Sequence, residues 1–249
     1  MLHVDDRGPG GTVRLLILDR PERRNALDHA TLDELDAVLR DTVAGVERGA
    51  HRVLVLTGAG DHFCAGADLT GVEDEAFVDK LHHVLATLRA APLPTIAAVA
   101  GAALGGGTQL AVACDLRHAT PTARFGIPAA KLGLMVDQWT VERLAGFAGQ
   151  GPARAMLLAT ATYSGEEAFG FGLVQRLGPI EDALAWADAI AVLAPLTIAG
   201  HKLGLNEAES LPEMSPAYRA AFDQAWSSAD MREGVAAFHE RRPAYFRGA

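Results

Sequence analysis

The sequence predicts an α/β fold with a helical C-terminal third, and three observations carry that reading. Short β-branched apolar runs alternate with helix-period segments over the first two thirds of the chain. After about Pro179 only helical periodicity remains. The chain has 249 residues, an ordinary size for one α/β domain with a terminal appendage. Strands alternating with helices imply a largely parallel sheet buried on both faces.

Taken in order, Leu15–Leu18 and Val53–Thr57 read as buried strands. Between them Leu32, Leu35, Val38 and Leu39 recur at helical spacing and predict a helix over Ala30–Val43. The alternation continues with a helix over Ala76–Leu88, a strand over Thr95–Val99, a helix over Gly106–Ala113 and a strand over Cys114–Ala119. A further helix is expected over Gln138–Ala148. The C-terminal third predicts helices over Asp182–Leu193, Pro195–Asn206, Pro216–Ser227 and Met231–Glu240. No repeat or Pro/Gly/Ser-rich linker separates the halves, so residues 1–190 are expected as a core and 191–249 as a helical appendage, packed on that core or on a neighbouring subunit.

Composition excludes several classes. Apolar residues are 49% and charged residues 21%, which is globular rather than disordered. Lys plus Arg number 22 against 31 Asp plus Glu, a net charge of −9, so the basic footprint of a nucleic-acid binder is missing. Cys64 and Cys114 are too few for a disulfide framework, and a reducing cytoplasm is the expected compartment. The 25 uncharged residues from Ala90 to Cys114 are long enough to span a membrane. However, Pro92, Pro94, Gly101 and Gly105–Gly107 interrupt them, so a buried strand, loop and helix is the preferred reading. There is no P-loop, and Gly58-Ala59-Gly60 lacks the third glycine of a dinucleotide fingerprint. No His pair stands at i, i+4, adjacent His82 and His83 cannot share one metal face, and no metal is expected. No nucleophile elbow occurs, and both thiols sit among small or apolar residues.

Two segments carry a more specific signal. Phe63-Cys64-Ala65-Gly66-Ala67-Asp68-Leu69 follows a strand and turn, and its small residues let a ligand reach backbone N–H groups. Gly101-Ala102-Ala103-Leu104-Gly105-Gly106-Gly107-Thr108-Gln109-Leu110 opens a helix whose free N–H groups favour negative charge. One donor from each segment could polarise a single carbonyl oxygen. The alternative is a tight helix–sheet crossing that merely needs small residues.

With Arg20-Pro21-Glu22-Arg23-Arg24-Asn25-Ala26-Leu27 upstream, and Phe125-Gly126-Ile127-Pro128 and Leu132-Gly133-Leu134 downstream, these segments resemble the enoyl-CoA hydratase/isomerase, or crotonase, superfamily. The five motifs are colinear from about Thr12 to Leu177, and the tail Arg241-Arg242-Pro243-Ala244-Tyr245-Phe246 is also similar. The resemblance implies a crotonase-type ββα-spiral core and a C-terminal helical trimerisation region, assembled as a homotrimer or dimer of trimers. It implies an acyl-CoA ligand, with no cofactor beyond the coenzyme A of that ligand. The oxyanion donors it implies are the N–H groups of Ala67 and Gly106. It places adenine and pantetheine along Arg23, Arg24, Ala26, Ala65, Asp68 and Leu69. Guanidinium groups suit phosphates, although Arg23 and Arg24 also fit a solvated basic turn.

The chain departs from the family where proton transfer is done. Hydration of an enoyl thioester places a water and delivers a proton to the α-carbon, work usually shared by two carboxylates. At the two glutamate positions that the resemblance implies, this chain has Gln109 and Ala129. Gln109 can orient a water or accept a hydrogen bond, but a neutral amide does not titrate, and Ala129 has no functional group. The nearest remaining acid is Asp137, in a place similar to that of an aspartate used by dienoyl-CoA isomerases and aryl-CoA dehalogenases; it also suits the N-cap of the following helix. Trp139 fits either core or ligand platform, and His82 either a base or a surface position. Gln109, Ala129 and the Asp137-Gln138-Trp139 run together resemble actinobacterial, mycobacterial-type members that lack the catalytic glutamates. The expectation is fatty acyl-CoA binding in fatty-acid metabolism with weak or absent hydratase activity. An Asp137-dependent isomerase, or another enolate-forming enzyme, and a non-catalytic scaffold are the alternatives.

Overall fold

A computed structural model of the chain describes residues 1–69, 75–208 and 216–244. The strands are β1 (Leu2–Arg7), β2 (Val13–Leu18), β3 (Val53–Gly58), β4 (Thr95–Val99), β5 (Ala102–Leu104), β6 (Leu116–Ala119), β7 (Arg124–Gly126), β8 (Thr162–Ser164) and β9 (Arg176–Leu177). The helices are α1 (His29–Glu47), α2 (Glu75–Ala90), α3 (Gly106–Ala113), α4 (Gln138–Ala148), α5 (Gln150–Leu158), α6 (Gly165–Gly170), α7 (Ile180–Ala191), α8 (Pro195–Ala208), α9 (Pro216–Ser227) and α10 (Ala229–Glu240). Contacts group the chain into two units, Met1–Phe125 with Tyr163–Ser210, and Gly126–Thr162 with Leu211–Ala249. This grouping differs from a linear division at residue 190.

The first unit is built on a sheet of order β1-β2-β3-β4-β6-β9, with β1 antiparallel to β2 and the other pairs parallel. Register is fixed by pairs such as Val13↔Val53 and Ile96↔Leu116. The near-continuous apolar runs of β3 and β4 are buried along their length, as a parallel sheet covered on both faces requires. Val13, Leu15, Val53, Val55, Ile96 and Ala98 meet Ala183, Ala187 and Ala191 of α7 on one face. Small alanines let that helix lie close to the sheet. Helix α1 starts where the Asp28 side chain accepts from the Thr31 N–H at 2.8 Å, and it buries Leu32, Leu35 and Leu39. Helix α2 packs on both α1 and α3.

Two buried cations finish the unit. Arg117 is 1% exposed, and its guanidinium donates to the carbonyls of Leu173, Ala111, Cys114 and Asp115, joining the end of α3 to the strand that follows. Lys202 on α8 donates to the Leu93 carbonyl at 2.9 Å and to Asp115 Oδ2 at 2.8 Å, anchoring that helix.

In the second unit α4 packs on α5, and α10 packs on the Pro128–Leu132 turn. Gly133 and Gly234 permit this approach: a Cβ at Gly133 would press on the Asp230 backbone, and one at Gly234 on Leu132. Phe222 is 7% exposed, and the Trp226 indole N–H donates to the Met135 carbonyl at 3.0 Å.

Several expectations needed adjustment. Strand β1 was not anticipated, because its Asp5-Asp6-Arg7 end carries charge suited to an exposed edge. The strand expected from Cys114 begins at Leu116, since Cys114 caps α3 with its N–H on the Leu110 carbonyl. Strands β5, β7, β8 and β9 are two or three residues long, too short for a periodicity signal. The uncharged run from Ala90 to Cys114 folds as β4, β5 and α3, and no single helix among the described residues is long and apolar enough to cross a membrane. Tyr245 and Phe246 of the tail lie outside the described residues.

Candidate functional site

The first unit brings the two small-residue segments side by side. Leu27 donates to the Gly66 carbonyl at 2.8 Å and accepts from the Asp68 N–H at 2.7 Å, a parallel bridge that ties Leu27 to Ala67. Such a bridge uses the groups on either side of Ala67 and leaves its own N–H pointing away. A second bridge, Cys64 to Ala103, joins this segment to the approach to α3: the Cys64 N–H donates to Ala102 at 2.9 Å and the Leu104 N–H to Cys64 at 3.0 Å.

Glycines make the approach possible. Gly66 has φ +103°, and a Cβ there would stand 2.8 Å from the Leu104 carbonyl oxygen and 3.5 Å from the Gly106 nitrogen. A Cβ at Gly106 would stand 3.7 Å from the Ala67 nitrogen, and one at Gly107 would run into the Cys64 carbonyl. Gly106 opens α3, so its N–H is one of the donors that a helix start leaves unpaired. Among the described residues, neither the Ala67 N–H nor the Gly106 N–H has a hydrogen-bond acceptor. Two such donors, so close and at a helix start, suit an acceptor oxygen that gains negative charge.

The flanking loop is held by residues that sequence reasoning passed over. Arg20 pairs with Asp28 at 2.9 Å and Asp68 at 3.2 Å, and donates to the Ala26 carbonyl at 2.7 Å. Asn25 is 1% exposed; its Oδ1 accepts from the Arg20 N–H, and its Nδ2 donates to the Ala59 and His62 carbonyls. Both lie inside the motif, but only the fold shows that they serve the loop. Burial would raise the Asp28 carboxyl, yet the bonds from Thr31 and the Arg20 charge outweigh it and hold the group below the usual carboxylate value.

Other expected residues fall as follows. Ala26 is buried, Ala65 and Leu69 are half-buried, and the Ala65 N–H donates to the Arg24 carbonyl at 3.0 Å. Asp68 is engaged with Arg20 rather than free for a ligand. Arg23 and Arg24 are exposed and, among the described residues, have no carboxylate partner. Gln109 is buried on α3, three residues after Gly106. His82 is half-buried on α2. Burial pushes both thiols up to about 12. Among the described residues, no cluster of three His, Cys, Asp or Glu side chains is placed to hold a metal.

In the second unit Asp137 is 5% exposed and caps α4. Its Oδ1 accepts from the Thr140 N–H at 2.9 Å and its Oδ2 from the Thr140 hydroxyl at 2.7 Å. Trp139 is half-buried, with the Arg143 guanidinium 5.6 Å from its ring centroid. Ala129, in the Pro128–Leu132 turn, accepts from the Leu134 N–H at 3.0 Å.

The sheet and its covering helices define a protein of the crotonase-type α/β class. The sequence profile of the Enoyl-CoA hydratase/isomerase family matches residues 9–249, and the chain belongs to that family. It is 44% identical over 233 residues to the Mycobacterium tuberculosis protein named probable enoyl-CoA hydratase echA6, covering 93% of this chain and 94% of that one. It is 34% identical over 244 residues to the protein named probable enoyl-CoA hydratase echA8 of the same species, covering 94% of each. Among solved structures, an enoyl-CoA hydratase from Mycobacterium avium aligns with a TM-score of 0.83 at 27% identity, over 99% of this chain and 98% of that one. A methylmalonyl-CoA decarboxylase aligns at 0.89 with 23% identity, over 100% and 98%, and shows the fold alone.

Proposed function

We propose that this family member binds a fatty acyl-CoA thioester, holds the thioester oxygen on the N–H groups of Ala67 and Gly106, and hydrates enoyl thioesters weakly or not at all. The observation that carries the reading is the pair of unpaired donors set side by side by the bridges at Leu27 and Cys64. Exposed Arg23 and Arg24, free of carboxylates among the described residues, supply charge for the phosphates of coenzyme A. Gln109 and Ala129 cannot exchange protons near neutral pH, so water activation and α-carbon protonation both lack a carboxylate at the expected positions.

The competing reading, an isomerase or other enolate-forming enzyme that uses Asp137, requires a carboxylate bonded twice to Thr140 to give up its helix cap. Calorimetric titration with acyl-CoAs of graded chain length tests the binding claim. Saturable binding that strengthens with chain length supports it, and equal affinity for free coenzyme A and every thioester defeats it. Assembly as a homotrimer or dimer of trimers is part of the same proposal. Leu196 and Leu203 of α8, seven residues apart and so on one helix face, are 88% and 59% exposed, apolar surface suited to a second copy of the chain. A stable 26.2 kDa monomer in light scattering rejects the assembly.

A further inference from the structure

We propose a second ligand site at the β6–β9 edge of the main sheet, built for a small amino-acid-like zwitterion and independent of the acyl-CoA reading. An open groove of about 600 Å³ lies there. Its titratable lining residues come from three elements. His118 on β6 stands in register with Arg176 on β9, and Asp182 and Trp186 lie one turn apart on α7.

His118 forms the buried part. It is 1% exposed, and among the described residues neither ring nitrogen has a hydrogen-bond partner. Leaving a buried imidazole unsatisfied is costly, and such a group in a groove wall is a reason to look for a ligand. Burial pushes its pKa down, so near neutral pH it offers one donor and one acceptor. Gln175, also in the lining, is fully used: it accepts from the Arg117 N–H and donates to the Gly172 and Leu173 carbonyls.

The two charges at the mouth remain apart. The Arg176 guanidinium stacks over the Trp186 ring at 4.3 Å from the centroid, which occupies its face and leaves its N–H edge for a planar carboxylate. Asp182 forms no ion pair among the described residues, with Arg176 or with any other cation. Gly178 lacks a side chain between Asp182 and His118: a Cβ there would stand 2.6 Å from Asp182 Oδ2 and 3.4 Å from His118 Nε2. The Asp182 carboxylate therefore packs against Gly178, on the side that faces the imidazole, in a space too small for a methyl group. A simple anion would meet Asp182 and a simple cation would meet Arg176. A ligand with a carboxylate for Arg176 and an ammonium for Asp182 satisfies both, while Phe169 and Trp186 supply apolar surface for its side chain.

The test uses L-phenylalanine as probe, with hydrocinnamate and phenethylamine as controls that each carry one of the two charges, and follows the His118 ring by heteronuclear NMR. A saturable His118 shift with L-phenylalanine is expected, with each control binding roughly tenfold more weakly. Arg176→Ala and Asp182→Asn should each weaken the probe by a similar roughly tenfold factor, because both residues are exposed and the variants should fold. Hexanoyl-CoA affinity, measured on the same variants, should not change, so failure here is separable from failure of the acyl-CoA reading. No saturable shift up to about 10 mM overturns the proposal, since one or two charged contacts register at that concentration. Equal binding of the controls, or variants that bind as the parent does, also overturns it.

Discussion

Replacing Gly106 with proline removes one of the two proposed donors without asking much of the fold. Gly106 is the first residue of α3, where proline is tolerated because its missing N–H has no intrahelical partner. The preceding residue, Gly105, has φ 51° and ψ −118° and no Cβ to clash with the new ring. A Cβ at position 106 stands 3.2 Å from Leu27 Cδ1, the far end of a flexible side chain, and 3.7 Å from the Ala67 nitrogen. The ring carbon bonded to nitrogen replaces the hydrogen that the thioester oxygen would meet.

Loss of one hydrogen bond is worth about 0.5–1.5 kcal/mol, a two- to tenfold fall in affinity, and the ring's bulk adds to it. Calorimetry should therefore show acyl-CoA binding at least severalfold weaker in Gly106→Pro, with free coenzyme A much less affected because it has no thioester carbonyl. Unchanged circular dichroism and assembly size confirm that α3 still forms. Equal weakening of both ligands in a folded variant would place the carbonyl elsewhere and refute the reasoning.

Other consequences follow from the loop and the caps. Arg20→Ala strips Asp28 and Asp68 of their half-buried partner and should lower stability by roughly 2 kcal/mol, seen as an earlier urea midpoint; an unchanged midpoint means the pairs hold nothing. Asp137→Ala should cost about 1–2 kcal/mol through the lost α4 cap while leaving acyl-CoA affinity unchanged, and a drop in affinity would return Asp137 to the ligand site. Cys64 and Cys114, raised to about 12 by burial, stay protonated throughout the physiological range, so a thiol reagent at pH 8 should label both only after denaturation; fast labelling of the native protein contradicts this.

Much of the fold was legible because its strongest signals are local. The helix over α4 and the strand over β4 match their expected limits, since apolar period and flanking breakers coincide there. The neighbourhood of Ala67 and Gly106 was legible as two runs of small residues, whose need is the close backbone approach now seen between Gly66 and Leu104. Arg117 and Asn25 were not legible as buried anchors, because a charged or amide side chain gives no sign that carbonyls from distant segments will satisfy it. The short strands β5, β7, β8 and β9 form through pairing across the chain rather than through their own periodicity. Grouping of the C-terminal helices into two units depends on contacts such as Lys202 with Asp115, 87 positions apart in sequence.

The central claim is that a thioester-binding site persists while the proton-transfer carboxylates of hydration are absent. Turnover of crotonyl-CoA, followed by loss of the enoyl absorbance beside a calorimetric titration of the same protein with acyl-CoA, tests it most directly. Saturable acyl-CoA binding with little or no hydration is the predicted result. Turnover comparable to that of a family member with both glutamates would contradict it, because Gln109 and Ala129 would then not limit the chemistry.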